Sequence, residues 1–337
     1  MKKIVVISND KIFINKNHLS TKYNDTINII DALQNYFEIY LISKKNKVRD
    51  NFSLSIRKNI NVLNFISLFR LRKKKLKFLM ISITPRNLFF FILIKFIFKD
   101  IDGYLYLRSD GFEEYKNKIG IIGHIIYGCM LKYLEHNFKI ISVSKKIKCS
   151  KIHYLVTPSE INNLWLKNFK KANLSFPKIL YLGRYRKEKG IYSLLRLFEK
   201  INYKYKLTIA GDDNNVFNNS SKISVKNEIS DNKKLLSLYD EHNIFILPSY
   251  TEGAPKVILE SLARKRPVII FKEIEHVKLN YKGVFVCQRK ISSLTKCIEF
   301  IIKNYKKIQL DMKQNELPTK NIFQSQLVKI LDDKNAN

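Results

Sequence analysis

Two stretches in the second half of the chain set charged residues where a strand should give way to a helix. The first is Gly183-Arg184-Tyr185-Arg186-Lys187-Glu188-Lys189-Gly190. It separates an apolar run at 179–182 from a segment carrying Ile191, Leu194, Leu195 and Phe198 at the i, i+3, i+4, i+7 spacing of one buried helical face. In α/β proteins such a loop opens at the carboxyl end of a parallel strand, where ligands bind. The helix that follows offers unpaired N–H groups and the positive end of its dipole, and Arg184 and Lys189 add full charges to it. A diphosphate suits the pair, because guanidinium forks to two phosphate oxygens while ammonium acts as a point charge. A solvated basic loop is the other reading of these residues in so basic a chain.

The second stretch is Pro248-Ser249-Tyr250-Thr251-Glu252-Gly253-Ala254-Pro255, after an apolar strand at 244–247. Gly253 permits a tight turn with backbone close to a ligand, and Pro255 suits the first turn of a helix. Glu252 then lies in the loop and Glu260 in the second turn of that helix. Two acids beside an anion-friendly helix end call for a neutral hydroxylated ligand. Carboxylates accept hydrogen bonds from sugar hydroxyls, and the separation lets each address a different ring. Spacing alone leaves another reading open, an acid favouring the helix dipole and a surface glutamate.

The elements that must position these loops follow from apolar periodicity. In the first half, strands are expected at about 3–8, 38–43, 77–83, 103–108 and 138–143, with helices at about 25–36, 86–98 and 118–136. In the second half, further strands are expected at 206–210, 267–271 and 284–287, with helices at about 231–241, 255–264 and 291–305. Alternation of strand and helix points to α/β architecture with mostly parallel sheets. A length of 337 residues suits two domains. The expected division is 1–157, a linker at 158–177 that begins at Thr157-Pro158-Ser159, 178–309, and a tail from 310 to 337. In that tail Phe323, Leu327, Ile330 and Leu331 mark one amphipathic helix.

Residues 178–290 resemble the donor domain of the retaining glycosyltransferases of family 4, which have the GT-B fold. The resemblance rests on Gly183-Arg184 with Lys189-Gly190, on Glu252 and Glu260 in a Glu-x7-Glu motif after Pro248-Ser249, on Leu207-Thr208-Ile209-Ala210-Gly211-Asp212, and on Pro267-Val268-Ile269. It implies two Rossmann-like domains with parallel sheets facing an interdomain cleft, the first on the acceptor side and the second binding the nucleotide sugar. By the same resemblance, Arg184 and Lys189 hold the donor diphosphate and Glu260 binds the ribose. Glu252 contacts the donor sugar, with Gly253, Ala254 and Pro255 beside sugar or phosphate. It further implies retention through front-face attack, no metal and no cofactor beyond the nucleotide-sugar donor. The six histidines show no ligand cluster. The acceptor is expected to be a glycan or a lipid-linked sugar in cell-surface polysaccharide or lipopolysaccharide synthesis.

The first half departs from that pattern. A glycine-rich loop is expected after the first strand, yet 8–25 contains no glycine. Lys11, Lys16, His18 and Lys22 are the side chains that could replace it. Asp110, in Arg108-Ser109-Asp110-Gly111 after a strand, could position the acceptor hydroxyl, or simply cap a turn. His124 and Trp165 read as packing residues.

Bulk composition narrows the partners without naming a reaction. Lys and Arg number 62 against 29 Asp and Glu, a net charge of +33 that should attract polyanions. The basic run Arg70, Arg72, Lys73, Lys74, Lys75 and Lys77 before the apolar 86–98 could sit on anionic headgroups, although 86–98 is too short to span. An anionic membrane surface is therefore an expected partner. Four cysteines without metal-ligand spacing fit buried or inert thiols in a reducing compartment. Together these suggest a cytoplasmic protein, peripheral at the inner membrane face. Two alternatives remain from the sequence: a nonenzymatic polyanion-binding protein, against which no nucleic-acid fold is recognisable and no nucleic acid is expected, and a sugar-nucleotide epimerase, against which the Glu-x7-Glu spacing argues.

Overall fold

The computed structural model describes residues 1–337 except 16–17, 22, 47–53, 57–59, 64, 70, 72–74, 99, 202–204, 212–216, 230 and 333–337. Lys16, Lys22, Arg70, Arg72, Lys73, Lys74 and Asp212 thus lie outside the described residues. The chain divides into two units, Met1–Pro158 with Lys320–Asn337, and Ser159–Thr319.

The first unit contains β1 (Lys2–Ile14), β2 (His18–Ser20), α1 (Asn24–Leu33), β3 (Phe37–Lys45), β4 (Leu54–Ile56), β5 (Ile60–Val62), α2 (Phe65–Phe69), β6 (Lys77–Met80), α3 (Pro85–Ile97), β7 (Asp102–Leu107), α4 (Gly111–Glu135), β8 (Lys139–Ser142) and β9 (Tyr154–Leu155). Its parallel strands lie in the order β5-β3-β1-β6-β7-β8-β9, with β2 and β4 joined antiparallel beyond β1. Ile4, Val5, Val6 and Ile7 of β1 are fully buried. A strand covered on both faces reads as an unbroken apolar run, which is why this one was visible in sequence.

The expected loop after the first strand is instead more strand. The register of β1 against β3 shifts between Ile7 and Lys11, then pairing resumes, with Lys11 opposite Lys44 and Phe13 opposite Ser20. Without glycine the chain takes the extended route. Asp10, in the irregular stretch, is buried, accepts a hydrogen bond from Thr26 Oγ1 and lies 3.5 Å from Arg108 Nη1.

The second unit contains β10 (Lys178–Leu182), α5 (Ile191–Lys200), β11 (Lys206–Gly211), β12 (Ile223–Asn227), α6 (Asn232–Asp240), β13 (Ile244–Leu247), α7 (Lys256–Ala263), β14 (Val268–Phe271), β15 (Val284–Cys287), α8 (Ile291–Lys303) and α9 (Tyr305–Met312). All its strand pairs are parallel, in the order β12-β11-β10-β13-β14-β15. From β10 the chain winds outward in one direction to β12, then returns to start again at β13. The strand order therefore reverses between β10 and β13. In an open α/β sheet that reversal leaves a crevice at the carboxyl ends of the two strands. Both charged stretches follow those two strands.

Residues 159–177, read from sequence as a linker, group with the second unit. Backbone carbonyls of this segment accept hydrogen bonds from two buried guanidiniums. Arg264 donates to the carbonyls of Trp165, Lys167 and Asn168 at 3.0, 2.7 and 2.9 Å, and Arg266 to that of Lys170 at 2.8 Å. Asp240 Oδ2 balances the charge, 2.7 Å from Arg264. Trp165 is buried there against Tyr239, ring centroids 5.6 Å apart. The tail helix α10 (Lys320–Asp332) returns to the first unit. It buries Phe323, Leu327 and Leu331, with Lys2 Nζ 2.5 Å from Asp332 Oδ1.

Candidate functional site

The loop 183–190 ends in a short 3-10 turn at Lys187–Lys189, and Gly190 then opens α5 with φ 70°. A side chain there would be strained, and an added Cβ would lie 1.8 Å from the carbonyl oxygen of Pro248. Glycine is thus what lets the loop after β10 touch the loop after β13. A second tie joins them, Tyr250 N donating to the carbonyl of Glu188 at 2.9 Å. Neither α5 nor α7 has a side-chain cap at its N-terminus, so first-turn N–H groups of both face the loops without one.

This contact brings Lys189 and Glu252 together. Lys189 Nζ lies 2.7 Å from Glu252 Oε1, and Ser249 Oγ donates to the same oxygen at 2.6 Å. His276 Nε2 lies 2.9 Å from the carbonyl oxygen of Glu252 and fixes the backbone behind it. The carboxylate is 10% exposed and the lysine 23%, so the pair sits at the mouth of the site rather than within the core.

Glu260 occupies the second turn of α7 and is buried. Burial pushes its carboxyl from the ordinary 4.5 up to about 7. A hydrogen bond from Tyr239 Oη at 2.9 Å opposes that rise. Glu160, which is 2.5 Å from Lys256, adds repulsion, and Lys256 offsets part of it. Arg184 is exposed just past β10, and its carbonyl accepts from Tyr181 Oη at 2.9 Å. Direct contact thus joins Lys189 and Glu252, while Arg184 and Glu260 stand at neighbouring positions on the same strand–helix junctions.

Three sequence expectations meet different geometry. Gly253 has no left-handed backbone; the residue that needs it is Gly190. Pro255 stands just before α7 with ψ 108°, one position short of the first helical turn, and Ala254 is half-buried beside it. Asp110 belongs to the first unit, where it caps α4 by accepting from Phe112 N at 3.0 Å. His124 packs its ring 4.7 Å from that of Phe112.

Arg289 was invisible to sequence reasoning. Just after β15, it donates to Ser193 Oγ at 2.7 Å, the carbonyl of Pro248 at 2.9 Å and Glu273 Oε1 at 2.8 Å. Its guanidinium lies over the rings of Tyr250 and Phe271, at 4.1 and 4.3 Å. It clamps the loop after β13 to the first turn of α5. As one of 62 basic residues with no surrounding motif, it carried no signal. Among the described residues, no group of three or more His, Cys, Asp or Glu is placed to hold a metal ion.

Residues 166–317, which contain both junctions, match the family model described as Glycosyl transferases group 1. An uncharacterized glycosyltransferase of Haemophilus influenzae is 29% identical over 173 residues, 48% of this chain and 48% of that one. The chain thus spans about half the length of that relative. Two solved structures share the fold. Sucrose-phosphate synthase from Thermosynechococcus elongatus matches with a TM-score of 0.71 at 14% identity, covering 98% of both chains. Anabaena Alr3699/HepE in complex with UDP and glucose matches with 0.67 at 11%, covering 99% of this chain and 100% of that one. Two parallel-sheet α/β domains of this kind match GT-B glycosyltransferases in architecture.

Proposed function

We propose that the chain is a glycosyltransferase that moves a hexose-type sugar from a nucleotide-diphosphate sugar to a glycan or lipid-linked acceptor. The observation that carries the reading is the Lys189–Glu252 pair at the reversal point of the second sheet. A cation for phosphate and a carboxylate for hydroxyls there serve the two halves of one activated sugar. The match of the same residues to the group 1 family model supports it.

In this reading Arg184 and Lys189 hold the diphosphate and stabilise the charge that develops as its bond to the anomeric carbon breaks. First-turn N–H groups of α5 and α7 add partial positive charge. Glu252 orients the sugar through its hydroxyls, and Glu260 accepts from the ribose. The acceptor oxygen bonds to the anomeric carbon on the face the diphosphate leaves. The departing phosphate takes the acceptor proton, and attack on the leaving face gives retention. Products are the glycosylated acceptor and the nucleoside diphosphate. Assembly of cell-surface polysaccharide or lipopolysaccharide is the process that consumes such a product.

A thermal-shift panel of UDP-, GDP- and ADP-sugars tests this, because a ligand that binds only the folded state raises its melting temperature. One nucleotide class should stabilise the protein, and Arg184→Ala with Lys189→Ala should remove both that shift and transfer. Stabilisation by nucleic acid or heparin, with no response to any sugar nucleotide, would replace the enzyme with a polyanion-binding protein.

A further inference from the structure

Among the described residues, no helix is long and apolar enough to cross a membrane. One helix nevertheless turns an apolar face to water. α4 breaks at Ile119 and Gly120, where Gly120 takes φ 68° in open space. Beyond the break, Gly123, Tyr127, Met130, Leu131 and Leu134 are buried. The opposite face carries Ile121, Ile122 and Ile125, exposed to 65, 63 and 58%, then Ile126, Cys129 and Tyr133, also exposed. These residues recur three or four apart, which makes one stripe down the helix. α3 continues it. Lys95 Nζ lies 5.5 Å from the centre of the Tyr133 ring, and the next residue, Phe96, is 86% exposed.

The charge beside the stripe is mainly basic, with the acids of α4 confined to its ends, where Glu114 accepts from Ser109 Oγ and Glu135 from Ser150 N. Over 115–134 and over 85–98 the sequence holds no acidic residue, while Lys116, Lys118, Lys132 and Lys95 are exposed. A helix with isoleucines on its outward face and lysines at both ends suits the boundary between headgroups and acyl chains. The same charge argues against a second copy, because a two-fold interface would set like-charged rims against each other.

We infer that the Ile121–Ile122–Ile125–Ile126 face of α4, rimmed by Lys118 and Lys132, docks the protein on an anionic lipid surface. The isoleucines enter the upper acyl region and the lysines meet lipid phosphates. This differs from the sequence expectation, which set the contact on the basic run before 86–98.

The test is co-sedimentation of the full chain with phosphatidylcholine vesicles, with and without about one third phosphatidylglycerol, at low and high salt. Wild type should pellet with the anionic vesicles only. Ile121→Asn with Ile125→Asn should lower vesicle affinity by about tenfold or more. Lys118→Glu with Lys132→Glu should do the same at low salt. All four positions are exposed, and both variants should keep the melting temperature and the response to sugar nucleotides, so loss of docking reads separately from loss of the proposed activity. Wild type left in the supernatant overturns the inference, as does pelleting that survives the isoleucine changes. A concentration-dependent dimer that these changes dissolve, without vesicle binding, would make the face a self-association surface.

Discussion

Glu260→Gln isolates one buried proton. The wild-type carboxyl is held at about 7 by burial, against an ordinary 4.5. Between those pH values the unfolded chain has lost the proton and the native chain keeps it. The unfolded state then binds fewer protons, so this group's contribution to stability falls as pH rises. The displacement corresponds to about 3 kcal/mol. Glutamine cannot ionise, yet retains an oxygen to accept from Tyr239. Relative to wild type, the variant should therefore gain about 3 kcal/mol between pH ~4.5 and pH ~8, read by urea denaturation at several pH values. Groups common to both proteins cancel in the difference. Nucleotide binding gives the second readout. A ribose hydroxyl donates to the ionised carboxylate, so wild-type affinity should rise through pH about 7 with release of a proton. The variant should bind more weakly and lose both dependences. A stability difference that stays flat with pH would refute the buried-carboxyl reasoning. A difference that appears without any change in nucleotide affinity would remove Glu260 from the donor site.

Two further predictions concern the frame of the site. Gly190→Ala drives a Cβ to within 1.8 Å of the Pro248 carbonyl oxygen on a left-handed backbone; it should cost about 3 kcal/mol or more in chemical denaturation, and a loss below ~1 kcal/mol would mean the two loops are not in contact. His242 is buried, its ring nitrogens 2.6 Å from the Leu238 carbonyl and 2.7 Å from Thr208 Oγ1, and burial lowers it to about 4. The unfolded chain gains a proton below 6.5 that the native chain refuses, so this group's contribution to stability should fall by about 3 kcal/mol as pH drops from 6.5 to 4. His242→Gln should remove that contribution, read as a pH-dependent stability difference from wild type over the same range, whereas an NMR titration of His242 near 6.5 would contradict it. Because Glu260 and His242 act in opposite directions over most of this range, wild type should be flatter than either variant.

What sequence revealed here depended on how local each signal was. β13 and β14 are fully buried apolar runs and α5 has a single apolar face, so their period named them. Gly190 was part of the motif, but its reason is a carbonyl 58 residues away in the chain, which no spacing encodes. The segment 159–177 looked like a linker because its hydrogen-bonding partners, Arg264 and Arg266, are nearly a hundred residues distant. The stretch after Ile7 misled for a different reason: a loop was expected there, with side chains in place of its glycines, whereas the chain is strand and hairpin. The exposed face of α4 was hidden by its own composition, since isoleucines at helical spacing ordinarily mark a core.

A net charge of +33 does not say which cations can serve a ligand. Their partners sort them. Arg264, Arg266 and Arg289 direct donors to backbone carbonyls and to acids inside the second unit, so gripping a ligand would mean breaking the frame. Lys189 is different. Its ammonium has three protons, and the pair with Glu252 uses one of them. Among the described residues, the side-chain donors to Glu252 converge on Oε1. In the proposed reading a phosphate oxygen adds to Lys189 while Oε2 of Glu252 accepts from the sugar, and the ion pair stays intact between them. The lysine also neutralises the acid that would otherwise repel the diphosphate. Such a pair is already arranged before the donor arrives, and little reorganisation is left for the reaction itself.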